Sequence, residues 1–227
     1  MACGKAPRRF DAACIGWRSC GVAARPVVGP RDPEHDRKVR RIRRLLARLP
    51  AEETVVFQDE VDVHLNPKIG ACWMPRGQQA EVVTPGNNEK RHLAGSLHWR
   101  TGRLLLSVPG RRNAELFVAQ LEDLRCRLRA YRVIHVICDN ARFHDCQAVR
   151  DYLAEQGDRI VLHDLPKYAP ETNPIERVGW HLHETISRNH RCVSMEELLS
   201  EVYTWAETQE TFYLQTASFR DTYTMAS

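Results

Sequence analysis

The first regular pattern along the chain is a helical repeat of apolar positions between residues 32 and 50. These positions recur every three or four residues, at Val39, Ile42, Leu45, Leu46 and Leu49. Asp32 followed by Pro33 is a typical helix start, with the aspartate as N-cap and the proline at the first helical position. The opposite side is dense in arginine and lysine, which fits either a helix that contacts phosphates or a solvated face.

From residue 54 the pattern changes to short apolar runs that are typical of strands. The run TVVFQDE at 54–60 ends in acids, so we expect Asp59 at the end of the first strand. Residues 64–78 and 81–86 read as a hairpin or meander, with turns at the proline and glycine positions. Two further runs, 92–99 and 103–109, flank a turn at 100–102. This half of the chain therefore predicts an antiparallel set of strands.

The second half alternates helical and strand-like segments. Helical periodicity is found at 113–128, 146–157, 173–186 and 194–209, and apolar strand-like runs at 131–140 and 159–166. Asn113, Asn173 and Ser194 are the expected N-caps, and Gly157 the expected end of its helix. The order predicts an α/β fold with a mixed sheet, an antiparallel meander followed by helix-crossover strands, flanked by helices. A ribonuclease-H-like fold has this order, which alone leaves other α/β folds open.

Length and composition indicate one folded domain with short flanking segments. The 227 residues are 43% hydrophobic and 27% charged, values typical of globular chains. We expect an irregular N-terminal tail at 1–31, a basic amphipathic linker helix at 32–50, the main domain at 51–215 and a C-terminal tail at 216–227. No apolar run approaches the roughly 18 residues of a membrane span, and no signal peptide is evident. We therefore expect a cytoplasmic protein with no membrane partner.

The cysteines and the net charge change this picture little. None of the eight cysteines forms a CxxC pair, and the chain carries no secretion signal, so reduced thiols are expected rather than a disulfide framework or a zinc site. The formal net charge of +4 permits a polyanionic partner without requiring one.

Three acids stand where metal chemistry could use them. Asp59 and Asp139 end two apolar strands, and Glu176 lies in the first turn of the helix after Asn173 and Pro174. Functional side chains of open α/β sheets gather at strand ends and adjoining helix starts. Neighbouring carboxylates repel each other, and a divalent cation such as Mg²⁺ or Mn²⁺, which prefers oxygen ligands, would remove that repulsion. Two such ions can activate an attacking oxygen and stabilise a leaving one.

Each acid, taken alone, also fits a structural role. Asp59 would be part of a solvated strand end, and Asp139 with Asn140 would start a turn or cap the next helix. Glu176 stands three residues after Asn173, which is the spacing of a capping box. The occurrence of all three acids in this order and spacing, with 36 residues between the last two, favours the metal site.

Four motifs resemble transposases of the mariner superfamily, in particular its bacterial insertion-sequence-630 branch. They are FQDE at 57–60, CWMPRGQ at 72–78, CDNARFH at 138–144 and LPKYAPETNPIER at 165–177. The resemblance covers residues 35–210 and implies a ribonuclease-H-like domain with a DDE triad of Asp59, Asp139 and Glu176 that holds two Mg²⁺ or Mn²⁺ ions. It implies cleavage of DNA at transposon ends, transfer to target DNA, usually at TA, and action as a homodimer.

The resemblance also places several residues near the triad. Asn140 and His144 follow the second aspartate, and His144 would meet a phosphate or the residues around the metal, or be a core histidine. Lys167 and Asn173 precede Glu176, and Asn173 would cap the helix and so aim the glutamate. The hairpin would carry Trp73 and Arg76 to DNA or to a partner subunit, or Trp73 would simply pack.

Two departures from the family pattern leave other functions open. The family usually has an N-terminal helix-turn-helix region of roughly a hundred residues, so we expect binding to transposon ends to need a separate polypeptide. Gly179 stands where the family usually has a bulky residue, and a glycine inside a helix costs about 0.5–1 kcal/mol relative to alanine. The alternatives are a stand-alone ribonuclease-H-like nuclease and a catalytically impaired remnant that binds DNA or dimerises.

Overall fold

Five strands and five α-helices make up the regular structure of residues 32–107, 109–209 and 211–212, which the computed structural model describes. The strands are β1 (Glu53–His64), β2 (Lys90–His98), β3 (Leu104–Leu106), β4 (Val133–Cys138) and β5 (Ile160–Asp164). The helices are α1 (His35–Ala47), α2 (Ala114–Arg127), α3 (Gln147–Gln156), α4 (Ile175–Leu182) and α5 (Met195–Thr208). The tails predicted at 1–31 and 216–227 lie outside the described residues.

The strands form one mixed sheet in the order β3-β2-β1-β4-β5. β1 pairs antiparallel with β2, and β2 pairs antiparallel with β3. On the other side of β1, β4 and β5 follow in parallel, and each is reached through a helix. The predicted fold class, an antiparallel meander followed by helix-crossover strands, is confirmed.

Two hydrophobic cores cover the two faces of the sheet, because alternate side chains of a strand point to opposite faces. Phe57 of β1 and Ile137 of β4 lie in the core that α1, α4 and α5 complete. Val56 and Val136 lie in the opposite core, which α2 and α3 complete. α1 is therefore part of the folded domain and not a separate linker.

Three of the five helix caps predicted from the sequence are present. Asn113 accepts a hydrogen bond from the backbone N–H of Leu116, and Ser194 accepts one from Glu197. α3 ends at Gly157, whose φ of 58° is the left-handed conformation that glycine adopts without strain. α1 begins later than predicted, at His35, because the Asp32 carboxylate binds the N–H of Glu34 in a turn before the helix.

Two predictions in the first half of the sheet are wrong. Asp59 does not end the first strand: β1 continues through it to His64, because β2 pairs with it along this whole length. The hairpin predicted at 64–86 does not form, and the described residues between β1 and β2 contain no strand. Residues 71–81 are exposed throughout, so none of the described residues packs against them to support a pair of strands.

Two further expectations concern the cysteines and the helices of the described residues. Five cysteines there are free thiols, as predicted: Cys72, Cys126, Cys138, Cys146 and Cys192. The remaining three cysteines lie outside the described part of the chain. None of the helices that the structure describes is long and apolar enough to cross a membrane.

Candidate active site

Asp59 lies inside β1, on the face of the sheet that α4 covers. Alternation places it on the same side as Phe57, in the larger core, and places Glu60 on the opposite side. The Asp59 carboxylate is largely buried and accepts a hydrogen bond of 2.8 Å from the N–H of Glu60. The solvated strand end considered as its alternative role is therefore not what the structure shows.

Asp139 follows β4 immediately and stands beside Asp59. In the parallel pairing of β1 with β4, Phe57 is the partner of Ile137. Two residues further along, just past the end of β4, the same register places Asp139 level with Asp59, and the charge of Asp139 contributes to the raised pKa of Asp59. Apolar strands of equal phase thus bring these two acids together at adjacent positions.

Glu176 reaches the same face from the first turn of α4. Gly95, the β2 partner of Asp59, lets this helix lie close to the sheet, since a Cβ at Gly95 would stand 3.2 Å from Ile175 Cδ1. Asn173 does not cap α4 as predicted. Its buried side-chain amide instead donates to the backbone carbonyl of Gln58 at 3.2 Å, which ties the start of α4 to the residue before Asp59.

Burial and mutual repulsion raise the pKa of two of the three acids. Burial, with the charges of Glu176, Glu60 and Asp139, raises the pKa of Asp59 to about 7. Partial burial and the charge of Asp139 also raise the pKa of Glu176. Among the described residues, the Glu176 carboxylate has no hydrogen-bond or ion-pair partner, so it does not form the capping box considered for it. These shifts show that the three acids share one electrostatic site.

His144 links β1 to the residue that follows β4. Its Nε2 lies 3.3 Å from Glu60 Oε1, and its Nδ1 lies 3.1 Å from Asp139 Oδ1. Burial opposes protonation, but the hydrogen bond with Asp139 and other contacts outweigh it and raise the pKa of His144 to about 12. The histidine is therefore both buried in the core and bound to an acid of the site.

Nearby cations and hydrogen-bond donors favour the charged form of Asp139. A hydrogen bond from His144, another from the N–H of Ala141 and the nearby Arg112 guanidinium keep the pKa of Asp139 below its usual value, despite partial burial. Arg112 also binds Glu60 at 3.2 Å. Burial would raise the pKa of Glu60, but hydrogen bonds from His144 and Gln58 outweigh it and lower that pKa.

Two grooves open onto the acids. One, of about 340 Å³, lies between α4 and the sheet and is lined by Asp59, Glu176 and apolar side chains. The other, of about 550 Å³, lies beyond β4 and β5 and is lined by Asp139, Glu176 and Lys167 among others. Glu176 borders both grooves, so an extended ligand could pass over all three acids.

Gly179 lies on α4 above the first groove. A Cβ there would meet only Val61 Cγ2, at 4.0 Å. The absence of a side chain at this position thus contributes open space beside Asp59 and Glu176, and α4 remains helical through it.

The structure brings together some of the other predicted residues and leaves two apart. Asn140 and Lys167 line the groove with Asp139 and Glu176. Trp73 and Arg76 lie in the exposed segment 71–81, and in the described part of the chain neither contacts the acids. The alternative interpretation, that Trp73 simply packs against other residues, is wrong, since its side chain is fully exposed.

Sequence reasoning missed Glu60, Arg112 and Lys38. The sequence did contain a signal for Glu60. Strand alternation places it on the face opposite Asp59, where a buried carboxylate needs a cationic partner of its own. Arg112, in the loop before α2, and Lys38, on α1, meet the site only through the fold, so no local pattern singled them out.

The carboxylates are not arranged as a finished metal centre. Within the described residues, no three histidine, cysteine, aspartate or glutamate side chains converge closely enough to hold one metal ion. The donor set of Asp59, Asp139 and Glu176 is nonetheless entirely oxygen, which suits hard cations such as Mg²⁺ and Mn²⁺.

Sequence comparison finds a family and a relative that cover most of the chain. Residues 54–199 match the model of the DDE superfamily endonuclease family. An insertion element IS630 uncharacterized 39 kDa protein of Shigella sonnei is 41% identical over 209 residues. That alignment covers 92% of this chain and 60% of the relative, so the chain spans less than two thirds of that protein's length.

Structural comparison finds the same fold in a transposase. The Mos1 mariner paired-end complex with Mn superposes with a TM-score of 0.62 at 18% identity, covering 91% of this chain and 63% of that one. The catalytic domain of Mos1 mariner transposase gives 0.54 at 18% identity, covering 83% and 85%. The ribonuclease-H-like fold predicted from the element order is confirmed. With the family model matching most of the main domain, the chain belongs to the DDE superfamily endonuclease family.

Proposed function

We propose that this chain is the catalytic core of a transposase, which cleaves DNA at transposon ends and transfers the freed 3′ hydroxyl to target DNA. The observation that carries the proposal is the convergence of Asp59, Asp139 and Glu176, because burial and their charges raise the pKa of two of them. The insertion-element relative supports it, as do Mos1 structures with a transposon end, with Mn and with Mg.

The oxygen donors of the three acids suit divalent cations. A carboxylate whose pKa lies near 7 is held in its charged form at a cost, and a cation between it and its neighbours would offset that cost. Mg²⁺ keeps several waters and typically takes one or two protein carboxylates together with substrate phosphate oxygens. We infer two ions, which Asp59, Asp139 and Glu176 would hold.

The protein's own residues would orient the reactants. When bound, the divalent ions supply activation of the attacking oxygen and stabilisation of the leaving oxygen. The N–H of Ala141 and the ring of His144 hold the Asp139 carboxylate in place, and Asn173 holds the start of the helix that presents Glu176. Glu60 is occupied by His144 and Arg112, so it serves to fix Asp139 and is not a metal ligand.

The partners follow from the same proposal. Transposon-end DNA and a target, usually TA in this superfamily, would run along the two grooves that Glu176 borders. The exposed segment with Trp73 and Arg76 would contact DNA or the second subunit of a homodimer. The bacterial relative supports action in the cytoplasm.

The proposal is tested by titrating Mn²⁺ into the folded protein and by following strand cleavage of a DNA duplex in its presence. We expect Asp139→Ala to abolish both Mn²⁺ binding and cleavage, while DNA binding persists. Asp158→Ala, which removes an exposed acid from the turn after α3, is the matched control and should retain both. Joining of a cut end to a second duplex distinguishes a transposase from a stand-alone nuclease.

Two outcomes would contradict the proposal. A folded wild type that neither binds Mn²⁺, even with DNA present, nor cuts DNA would favour the inactive DNA-binding remnant. Equal cleavage by Asp139→Ala and the wild type would show that the reaction takes place elsewhere.

A further inference from the structure

Lys38 differs from the other basic residues of α1. Its ammonium group donates to Asp32 Oδ2 at 3.1 Å, to Asn140 Oδ1 at 3.3 Å and to the Leu165 carbonyl at 3.3 Å. An ammonium has three N–H donors, and here each finds an acceptor on a different segment of the chain. The side chain is only 16% exposed, whereas Arg37, Arg40, Arg41, Arg44 and Arg48 of the same stretch are exposed.

Two of the three acceptors of Lys38, Asn140 and Leu165, belong to the two loops that frame the larger groove. The Asn140 amide also donates to the Leu165 carbonyl at 2.5 Å, which ties the loop after β4 to the loop after β5. The Asp32 carboxylate also accepts the N–H of Lys167 at 2.9 Å. Asn140, Leu165 and Lys167 line the groove that holds Asp139 and Glu176. The largely buried ammonium group of Lys38 thus lies where α1 meets both loops.

The Asn140 loop is tied directly to Asp139. The two residues are adjacent, and the Asp139 carboxylate accepts the N–H of Ala141 at 2.9 Å, so the acid and the loop form one short turn. A shift of Asn140 would therefore move the carboxylate of Asp139. Outer hydrogen-bond partners of metal ligands typically change metal affinity or activity by about 10- to 100-fold when they are removed.

We propose that Lys38 is a positioning residue of the active site, which acts through Asn140 to hold the Asp139 carboxylate in register with Asp59 and Glu176. This inference rests on the proposed function for its effect on catalysis. It also makes α1 more than a basic surface helix: the helix that leads into the catalytic domain is locked to the loop that carries the second acid.

The test compares Lys38→Met with Arg40→Met, which removes the same charge from an exposed position of the same helix. We expect Lys38→Met to weaken Mn²⁺ binding and to lower the kcat of DNA cleavage by about 10- to 100-fold. The KM for DNA should change no more than in Arg40→Met, since Lys38 is directed inward. Equal kcat values in the two variants would overturn the positioning role.

A double variant separates action through Asn140 from a general loss of structure. If Lys38 acts through Asn140, then Lys38→Met combined with Asn140→Ala is no slower than Asn140→Ala alone, because neighbours in one network are not additive. Additive losses would overturn the route through Asn140.

Hydrogen exchange of the Asn140 side-chain amide, followed by NMR in the metal-free protein, is independent of catalysis. We expect faster exchange in Lys38→Met and no change in Arg40→Met. If the wild type neither binds Mn²⁺ nor cuts DNA, the proposed function fails, and unchanged exchange rates would separately overturn the link from Lys38 to Asn140.

Discussion

Gly179 allows a direct test of whether α4 is weakened beside the acids that it helps to assemble. The residue lies in the interior of the helix and is half-buried, with ordinary helical backbone and only Val61 near the position of a Cβ. Gly179→Ala therefore adds a methyl group without a clash. Replacing glycine by alanine inside a helix contributes about 0.5–1 kcal/mol, and burial of one methyl group contributes up to about 0.8 kcal/mol.

We expect Gly179→Ala to raise the free energy of unfolding by about 1–1.5 kcal/mol, since the new methyl group is only partly enclosed by the groove. For a chain of this length each kcal/mol corresponds to about 2–4 °C in Tm, so the gain should be about 3–5 °C. Thermal unfolding followed by circular dichroism, with urea unfolding at one temperature, measures both quantities.

Gly157 supplies a control in which the same substitution has the opposite sign. Its φ of 58° is left-handed, where a side chain costs about 1–2 kcal/mol, and no atom lies near its Cβ position to compensate. Gly157→Ala should therefore lower Tm. A Gly179→Ala variant that is no more stable than the wild type, beside a destabilised Gly157→Ala, would refute the reasoning from open space above Val61.

Two further predictions concern groups with shifted pKa values. The folded pKa of Asp59 is raised from 3.8 to about 7, so its charge destabilises the metal-free protein increasingly as pH rises through this window. Asp59→Asn should therefore gain about 2–4 kcal/mol in urea unfolding at pH 8, with a smaller gain at pH 5, and lose Mn²⁺ binding; a loss of stability at pH 8 would contradict this. His163 lies 3.0 Å from His135, and burial, with the charges of His135 and Arg41, lowers its pKa to about 4. The unfolded chain binds this proton near pH 6.5, so wild-type stability should fall by about 2 kcal/mol between pH 7 and pH 5 on account of His163. In His163→Gln that part of the pH dependence should vanish, and identical pH profiles would refute it.

Local signals were enough for much of the fold. The caps at Asn113 and Ser194 and the left-handed end at Gly157 depend on residues within four positions, and all three were predictable. The apolar run before Asp139 likewise identified β4, since a strand buried on both faces reads as continuous hydrophobic sequence.

Each wrong prediction depends on contacts, or on their absence, between residues that are distant in sequence. β1 runs past Asp59 because β2 offers backbone partners up to His64, and acids at 59 and 60 could not reveal that. Residues 71–81 contain residues that a strand would accept, but none of the residues that the structure describes covers them. Asn173 has the sequence context of a cap, yet a carbonyl 115 positions away, that of Gln58, takes its side chain.

The candidate site was predictable in its acids but not in its charge balance. The motifs around Asp59, Asp139 and Glu176 carry the family resemblance. The partners that hold Asp139 in place are His144 and Arg112, and they converge with it only because α2 packs against β2 and against the short turn that holds His144.

The adjacent acids of β1 show how the fold divides structure from chemistry. Strand alternation sends Glu60 to one face, where His144 and Arg112 neutralise it, and Asp59 to the other. Among the described residues, Asp59 and Glu176 have no cationic partner, so the unfavourable charge is confined to the face that opens onto the grooves. A protein selected only for stability would pair these acids or replace them. Under the proposed function, a cation from outside the chain would supply the compensating charge.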